Sequence, residues 1–334
     1  MVKLMGEVAL ETRHLVDPEL LSMLDVFPAL TISQETLAET RATVAQLFEQ
    51  MQPAADPTLA GITMQERQVP GPAGAPDVPV RIYQPAAAVG VVPALLWIHG
   101  GGYVLGSAAE DDHQVRTIVA ATGCAAVSVD YRLAPEAPSP AAVEDCYAAL
   151  RWLHDQAGAL GVDPARLAIG GASAGGGLAA CLGLLARDRG EVPVASQLLI
   201  YPMLDDRTAA SANTNPYTGE FIWTRESNHF GWASYLGEEP GGPDISPYAA
   251  AARATDVAGL PPTYISTCAL DLFLEEDLEY TRRLMRAGVP TELHVYPGAF
   301  HGFDMVTEAQ VSRSFARDFL SALARGLGLA APAG

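Results

Sequence analysis

The chain has 334 residues, of which 39 are acidic and 20 are basic, so its formal net charge is −19. A field of this sign repels nucleic acids and anionic membranes, which argues against both as binding partners. Apolar residues make up 49% of the sequence, which is enough for the core of one large α/β domain with an added cap.

Three features bear on the compartment in which the chain works. Glu7 and Glu11 interrupt the apolar residues where the hydrophobic part of a signal peptide would lie. The uncharged run 167–186 is long enough for a membrane span, but five glycines around Ser173 favour a strand, a turn and a buried helix. The four cysteines form no CxxC pair, which favours buried free thiols over disulfides or a metal site. We therefore expect a cytoplasmic protein without a membrane span.

The N-terminal residues 1–50 are expected to be helical, because two sets of apolar residues recur there with a helical period. The proline- and glycine-rich stretch 70–79 then breaks the chain. The first apolar set is Leu20, Leu21, Leu24 and Phe27, and the second is Leu37, Val44, Leu47, Phe48 and Met51.

After this break, predicted strands and helices alternate along the chain. The continuous apolar runs are typical of strands that are buried on both faces. Repeated strand–helix units of this length imply a mostly parallel sheet with helices on both faces. The predicted strands are 93–100, 124–131, 166–171, 196–204, 263–271 and 292–298, and the predicted helices lie around 115–119, 143–153 and 176–187, before Gly288, and around 311–323.

One block does not fit this alternation. Residues 205–250 are rich in aromatic residues, Asn, Gly and Pro, and they are too many for an ordinary loop. We interpret them as an insertion that covers a site. The chain then divides into an N-terminal helical cap segment (1–50), a first part of the core (51–204), the cap insertion (205–250) and a second part of the core (251–334).

A single serine stands among small residues in Gly171-Ala172-Ser173-Ala174-Gly175, between a predicted strand and a predicted helix. A nucleophile on a sharp strand-to-helix turn needs small neighbours, because larger side chains would collide with the adjacent strand and helix. The pattern predicts Ser173 as a nucleophile, with a structural glycine–serine turn as the alternative. It also leaves the N–H of Ala174 at a helix N-terminus, where negative charge is stabilised.

A serine hydroxyl is a poor nucleophile unless a base takes its proton, so the seven histidines are candidates. His301 follows the last predicted strand, which brings it to the sheet edge at which Ser173 is expected. The base in turn needs an orienting carboxylate. Asp271 ends the strand before the one that leads to His301, and the alternatives to it are Asp205, Asp206 and Asp277.

Three consecutive glycines follow a predicted strand in His-Gly-Gly-Gly (99–102). They allow the backbone to turn its N–H groups toward a substrate carbonyl with no side chain in the way. A phosphate-binding loop is the alternative, but no Lys-Ser or Lys-Thr pair follows, and the pattern G-x-G-x-x-G is absent there. We assign the N–H groups of Gly101, Gly102 and Ala174 to an oxyanion hole.

With these motifs, the chain closely resembles the hormone-sensitive-lipase-like branch of the α/β-hydrolases, a bacterial family of small carboxylesterases. The order Ser, Asp, His along the chain also matches that of α/β-hydrolases. The similarity runs from about residue 65 to the end. It rests on HGGG (99–102), DYRLAPE (130–136), GASAGG (171–176), LDLFLEED (270–277) and HGF (301–303).

The resemblance implies an eight-stranded sheet flanked by helices, and a cap made of N-terminal helices and the insertion after the sixth strand. It implies the triad Ser173, Asp271 and His301, the same three oxyanion donors, frequent dimers, and no metal or cofactor. DYRLAPE is expected to brace the oxyanion loop. Ala172 and Leu272 stand where many members carry Asp or Thr and Pro, respectively; neither change removes a catalytic group.

These observations predict a serine carboxylesterase that acts on short- to medium-chain acyl esters through an acyl-enzyme. An amidase, lactonase or carbamate hydrolase with the same triad is the alternative. A non-catalytic ligand receptor on the same fold, such as the plant gibberellin receptors, is disfavoured because those lack the histidine that His301 supplies. Aromatic side chains are candidates for the substrate pocket, with packing inside the cap as the alternative: Tyr103, Phe221, Trp223, Phe230 and Trp232.

Overall fold

An eight-stranded sheet forms the centre of the computed structural model, which describes residues 11–27, 31–51, 56–211 and 214–330. The strands are β1 (Ile62–Val69), β2 (Val78–Pro85), β3 (Val92–Ile98), β4 (Ala125–Val129), β5 (Val162–Ala172), β6 (Ser196–Ile200), β7 (Thr263–Cys268) and β8 (Thr291–Tyr296). Their order in the sheet is β1-β2-β4-β3-β5-β6-β7-β8. β2 is antiparallel to both of its neighbours, and the strands from β4 to β8 in this order are parallel. The mostly parallel, eight-stranded sheet implied by the resemblance is confirmed.

Helices connect the parallel strands and cover both faces of the sheet. The helices are α1 (Met23–Val26), α2 (Leu37–Met51), α3 (Asp112–Thr122), α4 (Ala141–Asp155), α5 (Ala157–Leu160), α6 (Ala174–Arg189), α7 (Asp206–Ala210), α8 (Arg225–Leu236), α9 (Leu274–Arg286) and α10 (Gln310–Gly326). One hydrophobic cluster includes side chains of α4, α6 and α9, and a second includes those of α3 and α10.

Strand β3 shows why the apolar runs are continuous. Ala94, Leu96 and Ile98 belong to the cluster that contains α4 and α6, whereas Leu95 and Trp97 belong to the cluster that contains α3 and α10. Successive side chains of a strand point to opposite faces of the sheet. A strand with helices on both sides is therefore apolar at every position rather than at every second one.

The antiparallel pair of β1 and β2 was not among the strands predicted individually from the sequence. β1 lies at the edge of the sheet, where it pairs with β2 alone, and five of its eight residues are exposed. Its charged residues Glu66 and Arg67 therefore stay in solvent, so β1 has no apolar run to mark it. Edge strands commonly carry such charges, which discourage pairing with other chains.

The described part of the N-terminal cap segment contains α1, α2 and short 3-10 turns, so it is helical only in pieces. Residues 1–10 and 28–30 of the predicted helical segment lie outside the described residues. The predicted insertion contains α7 and α8 between β6 and β7. The boundaries 1–50, 51–204, 205–250 and 251–334 stay predictions. The four cysteines are buried and free.

The first turn of α6 lies directly against the end of β3. A Cβ atom added to Gly175 would overlap the carbonyl oxygens of Ile98 and His99, and one added to Gly171 would overlap that of Ile98. Because backbone atoms cannot move aside as a flexible side chain can, these positions admit only glycine at this distance. The close approach brings the residue between them, Ser173, beside the loop that follows β3.

We predict that Gly175→Ala lowers the free energy of unfolding by about 3 kcal/mol, because the added methyl group collides with backbone. Gly158→Ala is the matched control, since Gly158 is exposed in α5 and an added Cβ has no neighbour within 4 Å. The control is expected to change stability by less than about 1 kcal/mol. Urea unfolding of the two variants measures both, and equal stabilities would contradict the close approach.

Candidate active site

Ser173 occupies the single-residue turn between β5 and α6. Its φ and ψ angles are 58° and −121°, a conformation that is strained for a residue with a side chain. Three backbone hydrogen bonds hold it there. The Ser173 N–H donates to the carbonyl of Ile200 over 2.9 Å, and its own carbonyl accepts from Gly177 and Met203. The small residues around Ser173 thus lie at a strained turn, and hydrogen bonds from the neighbouring strand and helix keep the turn in this conformation.

A continuous chain of hydrogen bonds joins the three predicted catalytic side chains. His301 Nε2 lies 2.8 Å from Ser173 Oγ, and His301 Nδ1 lies 2.7 Å from Asp271 Oδ2. A carboxylate can only accept, so Nδ1–H donates to Asp271, and Nε2 is left to accept the serine proton. Asp271 is 1% exposed and His301 is 7% exposed, so this chain is nearly dry. In a dry site its electrostatic interactions are strong.

The loops that carry Asp271 and His301 are bonded to each other. The N–H of Leu270 donates to the carbonyl of Ala299 over 3.0 Å. Asp271 Oδ1, the oxygen that does not face the imidazole, accepts from the N–H of Phe273 over 3.1 Å. The imidazole packs between the rings of Tyr201 and Phe273. Together these contacts set the position of the carboxylate and of both edges of the imidazole.

The competing carboxylates lie beside other side chains than the imidazole. Asp205 binds Arg207 through both of its oxygens, and Asp206 binds Arg253 in the same way. Asp277 is fully buried, and its carboxyl group lies near the hydroxyl of Thr267 rather than near the imidazole. Burial raises the pKa of Asp277 well above its usual range, and the nearby Glu276 raises it further. Among the four candidates, the structure brings Asp271 to the imidazole.

The glycine loop after β3 presents backbone donors next to Ser173. Gly101 and Gly102 have φ angles of 112° and 58°, which L side chains rarely adopt. The carbonyl of Gly101 accepts from the N–H groups of Val104 and Leu105, which closes a tight turn. In the described part of the chain, the N–H groups of Gly101, Gly102 and Ala174 donate no hydrogen bond. Among the described residues, these three donors near Ser173 therefore have no acceptor.

The predicted bracing segment 130–136 does contact this loop. Tyr131 Oη donates to the carbonyl of His99 over 3.1 Å, and the two rings stack with centroids 4.2 Å apart. The N–H of Ala134 donates to the carbonyl of Tyr103 over 3.0 Å. Asp130 accepts from the N–H of Ala108 just beyond the glycines. The segment therefore binds backbone groups of the glycine loop and its flanks at three positions.

A cavity of about 500 Å³ opens over Ser173 and His301. Gly101 and Gly102 form part of its wall, beside the nucleophile. Most of its apolar wall comes from the N-terminal segment, from the insertion and from the loop after His301, and Leu105 and Ala172 of the core complete it. The apolar side chains from the three segments are Val26, Phe27, Val44, Leu47, Phe48, Ile222, Trp223 and Met305.

Of the five aromatic side chains predicted to line a pocket, Trp223 alone lines this cavity. Tyr103 and Trp232 are buried together inside the cap and core, and the Tyr103 hydroxyl donates to the carbonyl of Met203. Phe221 packs against Phe300, and Phe230 packs against the cluster that contains α4 and α6. The prediction was wrong for the other four, because these large aromatic rings stabilise the packing of the insertion on the core instead.

Sequence reasoning missed the contribution of α2 to the cavity. Val44, Leu47 and Phe48 follow the predicted helical stripe, yet all three are only half-buried. An apolar stripe shows which face of a helix avoids water, but not whether that face meets core or an open cavity. Their incomplete burial depends on the position of α2 over Ser173, which the stripe does not specify.

Three carboxyl groups lie in the cavity wall, those of Glu110, Asp111 and Asp304. Burial and the neighbouring Asp111 raise the pKa of Glu110 to about 7. Burial also raises the pKa of Asp111, which accepts from Trp97 Nε1, and that of Asp304, which accepts from the Tyr201 hydroxyl. Among the described residues that line the cavity, none is Lys or Arg. Among the described residues of the wall, the three carboxyl groups therefore have no Lys or Arg partner.

Comparisons with known proteins give one consistent result. A sequence profile described as the alpha/beta hydrolase fold matches residues 95–305, which include Ser173, Asp271 and His301. The carboxylesterase NlhH of Mycobacterium tuberculosis is 36% identical over 294 residues, covering 86% of this chain and 88% of that protein. The esterase LipI of the same organism is 34% identical over 291 residues, with the same coverage of each chain.

Solved structures agree with the sequence relatives. A bacterial heroin esterase superposes with a TM-score of 0.88 at 43% identity, covering 95% of this chain and 99% of that chain. The esterase LipW from Mycobacterium marinum superposes with a TM-score of 0.84 at 37% identity, covering 95% and 97%. None of the helices in the described residues combines the length and the apolar character that a membrane crossing requires.

Proposed function

This chain belongs to the hormone-sensitive-lipase-like branch of the α/β-hydrolases and is a carboxylic-ester hydrolase, and we propose that it cleaves short- to medium-chain acyl esters with Ser173, His301 and Asp271. The proposal is carried by the unbroken hydrogen-bond chain from Ser173 Oγ to Asp271, on the wall of a cavity that also presents unpaired backbone donors. The relatives are named esterases, which favours esters over amides, lactones and carbamates.

In the first half of the proposed reaction, Ser173 Oγ attacks the acyl carbon while His301 Nε2 takes the hydroxyl proton. The carbonyl oxygen gains negative charge, and the N–H groups of Gly101, Gly102 and Ala174 donate to it. These donors are already unpaired and held in place, so little reorganisation is needed as charge develops. Asp271 keeps the imidazole in the tautomer that can accept at Nε2 and stabilises its positive charge.

Collapse of the tetrahedral intermediate breaks the bond to the alcohol oxygen, which takes the proton from His301 and leaves. A water molecule then attacks the acyl-enzyme while His301 accepts its proton. The second intermediate forms in the same oxyanion hole, releases the carboxylic acid and returns the proton to Ser173 Oγ. Each step uses groups of this chain, and the overall reaction consumes one ester and one water.

We predict that Ser173→Ala lowers kcat for 4-nitrophenyl butyrate by about four to six orders of magnitude, because it removes the nucleophile. Asp271→Asn should lower kcat by about 10⁴-fold without altering the shape of the site. The asparagine amide would face Nδ1 with its N–H₂ group and favour the tautomer in which Nε2 cannot accept the serine proton. Initial rates of hydrolysis measure both effects.

Asp205→Asn serves as the control, since Asp205 binds Arg207 rather than the imidazole. It should retain kcat within about threefold. A loss below tenfold in Ser173→Ala would reject Ser173 as the nucleophile. An Asp205→Asn loss as large as that of Asp271→Asn would reject the assignment of the orienting carboxylate.

The charge of the cavity sets a preference among esters. Glu110, Asp111 and Asp304 lie in its wall, where no described residue is Lys or Arg, and the whole chain is negative. An anionic group on a substrate would meet repulsion at close range, where a partly buried pair is screened little by salt. The apolar side chains from three segments instead favour neutral acyl and alcohol groups. We therefore propose that the substrates are neutral rather than anionic esters.

We predict that the mono-4-nitrophenyl ester of adipic acid, which has a free terminal carboxylate, reacts with a kcat/KM about tenfold below that of the matched 4-nitrophenyl ester of adipamic acid, in which an amide replaces the carboxylate. This discrimination should grow between about pH 6 and 8, because Glu110, with a pKa of about 7, becomes negative as pH rises. Titration of the catalytic groups cancels from the ratio, since both substrates use them equally.

Glu110→Gln removes the group that titrates and should flatten the pH dependence of this ratio. It should leave kcat/KM for the neutral amide substrate within about threefold. Equal reactivity of the two esters in the unmodified enzyme would refute the charge argument.

The homodimer and the cytoplasmic location stay predictions of the sequence.

A further inference from the structure

Arg41 connects the helix α2 to two segments of the core by four hydrogen bonds. Its Nε donates to the carbonyl of Val104 over 2.8 Å, and its Nη2 donates to the carbonyl of Ala134 over 2.9 Å. Nη1 and Nη2 also donate to the two carboxylate oxygens of Glu136, over 2.6 and 2.9 Å. All three guanidinium nitrogens are used, in the fixed planar geometry that arginine supplies and lysine cannot.

Both carbonyls that Arg41 binds belong to the support of the oxyanion loop. Val104 is part of the turn in which its own N–H and that of Leu105 donate to the carbonyl of Gly101. Ala134 donates its N–H to Tyr103, in the same turn. Arg41 therefore binds the turn directly, through Val104, and indirectly, through Ala134. The orientation of the Gly101 and Gly102 N–H groups depends on this turn.

The same side chain anchors the wall of the cavity. Leu37 is the only fully buried residue of α2, so apolar packing holds this helix weakly. In the described part of the chain, Arg41 makes all the side-chain hydrogen bonds between α2 and the rest of the protein. Val44 and Phe48 follow Arg41 on the same side of the helix and line the cavity over Ser173.

Glu136 completes the site by fixing the orientation of the Arg41 guanidinium. The hydrogen bonds from Arg41 lower the pKa of Glu136 to about 2, so this carboxylate stays charged at all pH values at which the enzyme would work. The Glu136 side chain is 62% exposed, so solvent weakens the attraction between the two charges. Its two-point contact thus serves mainly to orient the guanidinium plane toward the two backbone carbonyls.

We propose that Arg41 is a positioning residue that couples closure of the α2 wall to alignment of the oxyanion hole. While its guanidinium is seated, α2 covers the cavity and the turn at 101–105 keeps its donors aimed at the substrate carbonyl oxygen. When the guanidinium is lost, both constraints are released together. The inference rests on the proposed serine esterase mechanism and adds a residue from the cap to the machinery that stabilises its transition state.

The test compares Arg41→Gln, Arg41→Lys and Glu136→Gln with the matched control Arg282→Gln. Arg282 also makes a two-point contact with a carboxylate, Glu279, but on the exposed face of α9. Each variant is assayed with 4-nitrophenyl butyrate and with its thiono analogue, whose sulfur accepts hydrogen bonds poorly. The ratio of the two kcat values reports how well the oxyanion donors are aligned. Active enzyme is counted by titration with an organophosphate.

Arg41→Gln should lower kcat per active site by about tenfold to a hundredfold and raise KM, because the donors and the wall are both loosened. The oxygen-to-sulfur ratio should fall with it. Arg41→Lys should restore only part of both losses, and Glu136→Gln should show a smaller change in the same direction. Arg282→Gln should stay within about twofold of the unmodified enzyme in every measurement.

An unchanged oxygen-to-sulfur ratio in all three site variants overturns the proposal, even if their thermal stability or active fraction falls. Should Arg41→Gln fail to fold, Arg41→Lys and Glu136→Gln decide the question by the same ratio. Failure of the underlying mechanism appears separately. In that case the unmodified enzyme would not hydrolyse the ester, or Ser173→Ala would retain its activity, whatever the Arg41 variants do.

Discussion

The arrangement of this protein depends on the contact between the first turn of α6 and the carbonyl end of β3. Gly171 and Gly175 let the helix lie against the backbone of Ile98 and His99 at a distance that no side chain permits. The same contact brings Ser173 beside Gly100, where the backbone of one loop meets the side chain of the other. Nucleophile and backbone donors are neighbours because two backbones touch, and every other part of the site is placed relative to that contact.

Around this contact, loops that are distant in sequence are joined by backbone hydrogen bonds. The loops after β7 and β8 are tied together through Leu270 and Ala299, and the loop after β3 is tied to the segment after β4 through Tyr103 and Ala134. Such bonds fix the relative positions of side chains that loop motion would otherwise separate. The strained turn at Ser173 is held in the same way, by its neighbours rather than by its own preference.

The cap contributes differently from the core. The ring of Trp232 in the insertion packs against that of Tyr103 in the core, whereas α2 contributes aliphatic and aromatic side chains that are only partly buried to the cavity wall. A weakly packed helix needs a specific anchor, and Arg41 supplies it through the carbonyl of Val104 in the turn 101–105 and that of Ala134 in the segment that contacts this turn. The three carboxyl groups of the wall, which has no Lys or Arg among its described residues, support the proposed preference for neutral ligands.

The sequence by itself determined the fold class, the buried parallel strands, the family and the residues Ser173, Asp271 and His301 as candidates for one site. These follow from local signals: apolar runs, small residues at a tight turn, and positions at strand ends that parallel topology brings to one edge. Only the tertiary structure decided which carboxylate meets the imidazole, that β1 is a strand, and that Val44, Leu47 and Phe48 rather than Tyr103 and Trp232 face the cavity. Those outcomes depend on contacts between segments far apart in the chain, and the composition of a segment does not say which surface it will meet.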